Sequence, residues 1–139
     1  MPRPIFRIRR MRMAEQEAFF SLCAELFPRS SLHVREGDEV FLACTTHPAE
    51  PVAFLHLRPM RSSLCLQGIG VHPARRQMGI GRRLLALALR RAAARFPAGG
   101  LVLKVKGSNA PALRLYLSQG FMLSRARGGV WSLRWAPAN

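Results

Sequence analysis

The sequence predicts an α/β (α+β) domain around one mixed β-sheet, on three observations. At 139 residues the chain has the length of one domain, and its 49% hydrophobic content supplies a core. Strand-like and helix-like runs alternate in the order β-α-β-β-β-α-β-α-β-β. No internal repeat and no linker interrupts residues 1–139, so a single domain is expected.

Each element has a local reason. "IFRIRRM" alternates apolar and basic side chains, as a half-exposed strand does. Helical spacing follows over Met13 to Phe27: Ala18, Leu22 and Leu26 recur every fourth residue, and Glu15 and Glu17 favour the helix N-terminus. "PRSSLHVREGDE" reads as a loop with room for a short helix. "VFLACTT" and "PVAFLHLRP" are β-rich runs joined by "HPAE", a hairpin pattern. "SSLCLQGIGV" is a further strand, ended by His72-Pro73.

After Gly79 a helix carries Leu84, Leu85, Ala88, Leu89, Ala92 and Phe96 on one stripe, with Arg83, Arg90, Arg91 and Arg95 opposite. "PAGG" breaks it, and "LVLKVK" alternates as a strand. Asn109 or Ser108 caps the next helix, with Pro111 tolerated in its first turn and Gly120 as the C-terminal cap. "FMLSRAR", a Gly-Gly turn and "VWSLRW" close the chain as a hairpin.

The formal net charge is +15; 20 of the 22 basic residues are arginine, the others being Lys104 and Lys106. Such a charge implies affinity for anions without naming one. All seven acidic residues lie in the first fifty positions. Any mechanism that needs a carboxylate must therefore draw it from the N-terminal third. Cys23, Cys44 and Cys65 form no C-x-x-C pair and sit in apolar runs, so they read as buried, reduced thiols. His33, His47, His56 and His72 are scattered, without zinc-like spacing, so no metal is expected. The basic N-terminus lacks the apolar run of a signal peptide, and no segment approaches the ~20 apolar residues of a spanning helix. A cytoplasmic setting without a membrane partner is the expectation.

The stretch "VHPARRQMGIGRRLLALAL" sets Arg75, Arg76, Gly79, Gly81, Arg82 and Arg83 at the mouth of a helix. The first N–H groups of a helix lack intrahelical acceptors, and the macrodipole adds positive character there. A strand running into such a helix makes an anion site, most naturally for phosphate. Glycines let an oxygen approach the backbone, and arginines grip phosphate bidentately. A dinucleotide fingerprint fails, since Leu84 stands at its third glycine and no later carboxylate exists for the ribose. A P-loop fails for want of Gly-Lys-Ser/Thr. Further on, "SNAPALRLYLSQGF" places Asn109 and Tyr116 seven residues apart, about two helical turns, on one face.

Together these stretches resemble the GNAT superfamily of acyl-coenzyme A-dependent N-acyltransferases. The family pattern Q/R-x-x-G-x-G/A matches Arg76, Gly79 and Gly81, and V-x-P matches Val71-His72-Pro73. The later pattern matches Asn109, Ala112, Leu115-Tyr116 and Gly120-Phe121. The resemblance implies six to seven strands flanked by about four helices, and acetyl-CoA as the acyl-donor cosubstrate. It implies that the amides of Gln77, Met78, Gly79, Ile80, Gly81 and Arg82, beside Arg76, hold its pyrophosphate. Ile69, Gly70 and Val71 would pair with the pantetheine arm, in a sheet that splays after that strand. Asn109 and Tyr116 complete the implied cofactor site. Gly68 and Gly70 fit a close backbone approach.

The chemistry implied is attack of a primary amine on a thioester. Tyr116, the chain's single tyrosine, is the implied donor to the leaving thiolate, and the amide of Val71 or a neighbour the oxyanion donor. The usual strand carboxylate is missing, and Gln67 cannot act as a base. His56, His72, Glu36, Asp38, Glu39 and ordered water are the candidates. Partners expected are acetyl-CoA and an amine-bearing acceptor, with a monomer or homodimer. Two other readings stand beside this one: an acyl-CoA-binding sensor without turnover, and a basic nucleic-acid binder. The second is less favoured because aromatics are 8% and the arginines spread over every element.

Overall fold

In the computed structural model, residues 6–29, 33–46 and 48–137 are described. The elements are β1 (Phe6–Arg10), a 3₁₀ turn (Met13–Glu15), α1 (Gln16–Leu26), β2 (Glu39–Thr45), β3 (Pro51–Pro59) and β4 (Leu64–Val71). A second 3₁₀ turn (Pro73–Arg75), α2 (Ile80–Arg95), β5 (Leu101–Lys106), α3 (Ala110–Ser118), β6 (Met122–Arg127) and β7 (Val130–Trp135) follow. The strands form one seven-stranded sheet in the order β1-β2-β3-β4-β5-β7-β6. The sheet is mixed: β4 and β5 pair in parallel, whereas β5–β7 and β6–β7 are antiparallel. The predicted element order holds throughout. The described residues hold three α-helices, near the expected count of about four, and Met13–Glu15 and Pro73–Arg75 close single 3₁₀ turns.

The chain forms two compact units. The first comprises Met1–Leu57 and Gln67–Leu87. Its core joins Phe19, Leu22 and Cys23 of α1 to Val40, Leu42 and Cys44 of β2 and Phe54 of β3. Phe19 meets Phe54 edge-on, with centroids 5.4 Å apart. The inward stripe of α1 runs through Phe19, Leu22 and Cys23, so of the predicted stripe Leu22 is buried and Leu26 half-buried, whereas Ala18 is exposed and Phe19 takes its place. The larger apolar side chains capture the buried face. The entry to α1 is pinned by charge. Arg9 of β1 forms a bidentate pair with Glu15 at 2.5 Å, and Glu15 also accepts from the Arg12 N–H at 2.9 Å. The Arg9 guanidinium pulls the Glu15 carboxyl down to about 2.

The second unit comprises Arg58–Leu66 and Ala88–Asn139. Leu64 and Leu66 of β4, Leu101 and Leu103 of β5 and Leu133 of β7 are its buried strand residues. They lie on one face of the sheet because register partners share a face: Leu64↔Leu101, Leu66↔Leu103 and Leu103↔Leu133. The closing hairpin turns at Gly128 and Gly129, both at positive φ (59° and 77°), the two-residue turn that suits strand twist. The proposed hairpin between β2 and β3 includes His47, which lies outside the described residues.

Candidate functional site

The site begins where β4 ends. The His72 N–H donates to the Val52 carbonyl at 2.8 Å, which carries β4 alongside β3 to its last residue. His72 then caps the Pro73–Arg75 turn: its Nδ1 accepts from the Ala74 N–H at 3.2 Å. Arg76 reaches back, donating from Nε to the Val71 carbonyl at 3.2 Å. That bond ties the following loop to the strand end, a positioning role that the spacing alone did not reveal.

The loop itself is bent by two left-handed residues. Gly79 has φ 80°, and Gln77 has φ 67°, the single positive φ at a non-glycine among the described residues. A glutamine held there costs about 1–3 kcal/mol, and such strain gathers at ligand sites. A Cβ added to Gly79 would meet nothing within 4 Å, so its backbone angle, not crowding inside the chain, demands glycine. α2 starts at once with Ile80, and the first bond back is from the Arg83 N–H to Gly79 at 3.1 Å. The first-turn donors of Ile80, Gly81 and Arg82 thus sit beside the loop amides. Left-handed residues feeding a helix N-terminus make an anion-binding concavity of N–H groups. Arg76, Arg82 and Arg83 are exposed around it, whereas the Ile80 side chain is buried and contributes only its amide. The residues fit a diphosphate.

Ile69, Gly70 and Val71 lie past the β4–β5 register, which runs from Leu64↔Leu101 to Leu66↔Leu103. The two β4 glycines have a reason that the sequence concealed. A Cβ on Gly70 would stand 2.8 Å from Phe54, 2.9 Å from Phe27 and 3.0 Å from Leu26, and one on Gly68 would stand 3.2 Å from Phe54. The chain's own aromatic side chains occupy that side of the strand.

The candidate bases divide. The side chains of His56 and Asp38 are each 1% exposed, with Nε2 and Oδ2 2.7 Å apart, so neither is presented to a substrate. Asp38 also accepts from the Arg35 N–H, closing its loop. Glu39 is buried, 4.0 Å from Arg10. Glu36 is exposed on the turn before β2. His72 Nε2 lies 3.1 Å from Oε1 of Glu25, on the last turn of α1. Because Nδ1 accepts from Ala74, neutral His72 carries its proton on Nε2 and donates to Glu25. Glu25 was missed by sequence reasoning, since it lies 47 residues away and reads locally as a solvated helix position.

In the second unit, Asn109 caps α3, its side-chain oxygen accepting from the Ala112 N–H at 3.3 Å. Tyr116 is 7% exposed and stacks edge-on with Phe121, centroids 5.4 Å apart. Burial pushes its phenol above the ordinary value, so it stays protonated at neutral pH. Among the described residues no group of three His, Cys, Asp or Glu could hold a metal ion, and no helix is long and apolar enough to cross a membrane.

No curated protein matches the chain by sequence. Solved structures do match in fold. Arabidopsis thaliana NAA60 in complex with acetyl-CoA is 16% identical, with TM-score 0.79 over 94% of this chain and 98% of that one. The ribosomal-protein-S18-alanine N-acetyltransferase from Escherichia coli is 20% identical, with TM-score 0.77 over 97% of each. A putative streptothricin acetyltransferase from Bacillus anthracis in complex with acetyl coenzyme A is 15% identical, with TM-score 0.75 over 96% and 98%. At these identities the likeness establishes the fold. The sequence profile of the acetyltransferase (GNAT) family matches residues 6–121, from β1 through the phosphate-type loop to the end of α3 and Phe121. This chain belongs to the acetyltransferase (GNAT) family.

Proposed function

We propose that residues 1–139 are one N-acetyltransferase domain that moves an acetyl group from acetyl-CoA to a primary amine by direct attack. Membership of the family makes it an acetyltransferase that uses acetyl-CoA. The observation that carries the proposed site is the loop with Gln77 and Gly79 left-handed, opening onto the first turn of α2. The amides of Gln77 to Arg82 would hold the diphosphate, with Arg76 and Arg82 supplying charge. The backbone of Ile69 to Val71 would align the pantetheine arm.

When bound, acetyl-CoA supplies a thioester carbonyl and a thiolate leaving group. Tyr116, protonated, is suited to hydrogen-bond a departing sulfur without giving up its proton fully. The Val71 amide is the proposed oxyanion donor. The His72 amide is already bonded to Val52, which removes that neighbour from the choice. Neither His56 nor neutral His72 offers a lone pair to the amine, so its proton leaves through water, with Glu25 as the exposed carboxylate at the strand end.

Two measurements test the reading. Calorimetry with acetyl-CoA should show uptake by the natural chain and none by Gly79→Glu, whose carboxylate would sit where phosphate belongs. Free-thiol release over a panel of amino acids, polyamines, aminoglycosides and peptide N-termini should find an acceptor. Uptake without thiol release from any amine would favour the acyl-CoA-binding sensor instead.

A further inference from the structure

The second compact unit, Arg58–Leu66 and Ala88–Asn139, holds eleven Lys and Arg residues and no Asp or Glu. Its strands sort five of these cations onto one face. Lys104 of β5 pairs in register with Ser132 of β7, which pairs with Arg125 of β6. Lys106 pairs with Val130, which pairs with Arg127. Arg134, two residues from Ser132 on β7, shares that face. All five cations are exposed, whereas Leu101, Leu103 and Leu133 on the opposite face are buried.

A bulge creates this arrangement. The register shifts between Leu123 and Arg125, so Ser124 and Arg125 together oppose Ser132. Strict alternation from Met122, which pairs with Arg134, would send Arg125 and Arg127 to the core face. The extra residue turns both arginines outward, beside the lysines. The Ser124 hydroxyl holds the bulge by donating to the Ser132 carbonyl at 3.0 Å.

We propose that this face of β5, β7 and β6 binds the phosphodiester backbone of single-stranded RNA. Lys104 and Lys106 form one basic column and Arg125 and Arg127 another, about 10 Å apart across β7. Ser132 and Val130 lie between them as a shallow, uncharged floor. Cations recur about 7 Å apart along each column. Two such rails can grip one phosphate chain from both sides. No Asp or Glu side chain in the unit competes for them. Trp131 and Trp135 alternate onto the other face, so no aromatic ring is offered for base stacking and binding is independent of sequence. A membrane surface would need a substantial apolar face to insert, whereas here the apolar residues, Val102, Met122 and Val130, are interspersed with five cations and Ser132.

The test is fluorescence anisotropy with a labelled 20-nucleotide single-stranded RNA of mixed sequence, titrated at several salt concentrations. With four to five phosphates engaged, log K should fall against log salt with a slope of about −3. Arg125→Glu/Arg127→Glu should weaken binding at least about tenfold and flatten the slope by about 1.4. Lys104→Gln/Lys106→Gln, on the neighbouring strand, should also weaken it, so the result does not rest on β6 folding normally in the first variant. Arg90→Glu/Arg114→Glu changes the same charge on α2 and α3 and should leave affinity within threefold, with circular dichroism unchanged in all variants. Equal losses from the helix and sheet variants would assign the binding to bulk charge and overturn the proposal. So would tighter binding of phosphatidylserine vesicles or polyglutamate than of RNA, or no RNA binding at low salt.

Discussion

Replacing Gly70 by alanine separates two reasons for a glycine in β4. If a ligand's arm must approach the backbone, a methyl group weakens acetyl-CoA binding and leaves the fold alone. If the chain's own packing demands glycine, the methyl destabilises the protein first. The added Cβ would lie 2.8 Å from Phe54, 2.9 Å from Phe27 and 3.0 Å from Leu26. Phe54 is 1% exposed and is fixed between Phe19 and Phe27, so it cannot retreat. Phe27 is 44% exposed and can swing outward. Overpacking of this kind costs about 1–3 kcal/mol. A loss of about 2 kcal/mol lowers Tm by roughly 6–8 °C in a chain of this size. Thermal unfolding followed by circular dichroism measures it. Phe27→Ala in the same chain should return part of the loss, because the two sites share one space. Gly68→Ala, with its nearest contact at 3.2 Å, should cost less. A Gly70→Ala protein that melts within a degree of the natural one yet binds acetyl-CoA poorly would refute this packing account.

Three other outcomes follow from the same geometry. Tyr116→Phe should slow transfer by about 10²-fold with acetyl-CoA affinity unchanged, since the phenol is proposed to act only on the leaving group. Because burial raises its pKa, loss of rate from ionising this phenol should appear only above pH 10, and an earlier loss assigned to Tyr116 would contradict its burial. Glu15→Gln should cost about 1 kcal/mol at pH 7, a value discounted because both partners keep solvent contact. Glu15 is depressed from 4.5 to about 2, so its contribution is present above pH 4.5 and disappears as the pH falls toward 2. The natural and substituted chains should therefore converge in urea titrations near pH 2, and a gap that persists there would rule out the ion pair as its source. Ellman's reagent at pH 8 should find one accessible thiol in the native chain and three in denaturant. Burial pushes Cys23 to about 12 and raises Cys44, whereas Cys65 is only half-buried. Fast reaction of two or more native thiols would show that the core around α1 and β2 is open.

The order of elements was legible because each depends on neighbours in sequence. The apolar spacing of Leu84, Leu85, Ala88 and Ala92, the Asn109 cap and the Gly128-Gly129 turn are local devices, and all three stand where the residues place them. The Arg76-to-Arg82 loop was legible for the same reason: glycine spacing and a helix start lie within a few positions. What needed the tertiary structure were encounters between distant segments. Glu25 meets His72 across 47 residues, Asp38 meets His56 across 18, and Phe27 and Phe54 fill the space beside Gly70. The bulge at Ser124 belongs to this second kind too, since only pairing with Ser132 turns Arg125 and Arg127 toward solvent. A chain's composition and periodicity determine which backbone each segment adopts. Which side chains then share a space is decided by how strands register and helices dock, and that information is spread across the whole chain.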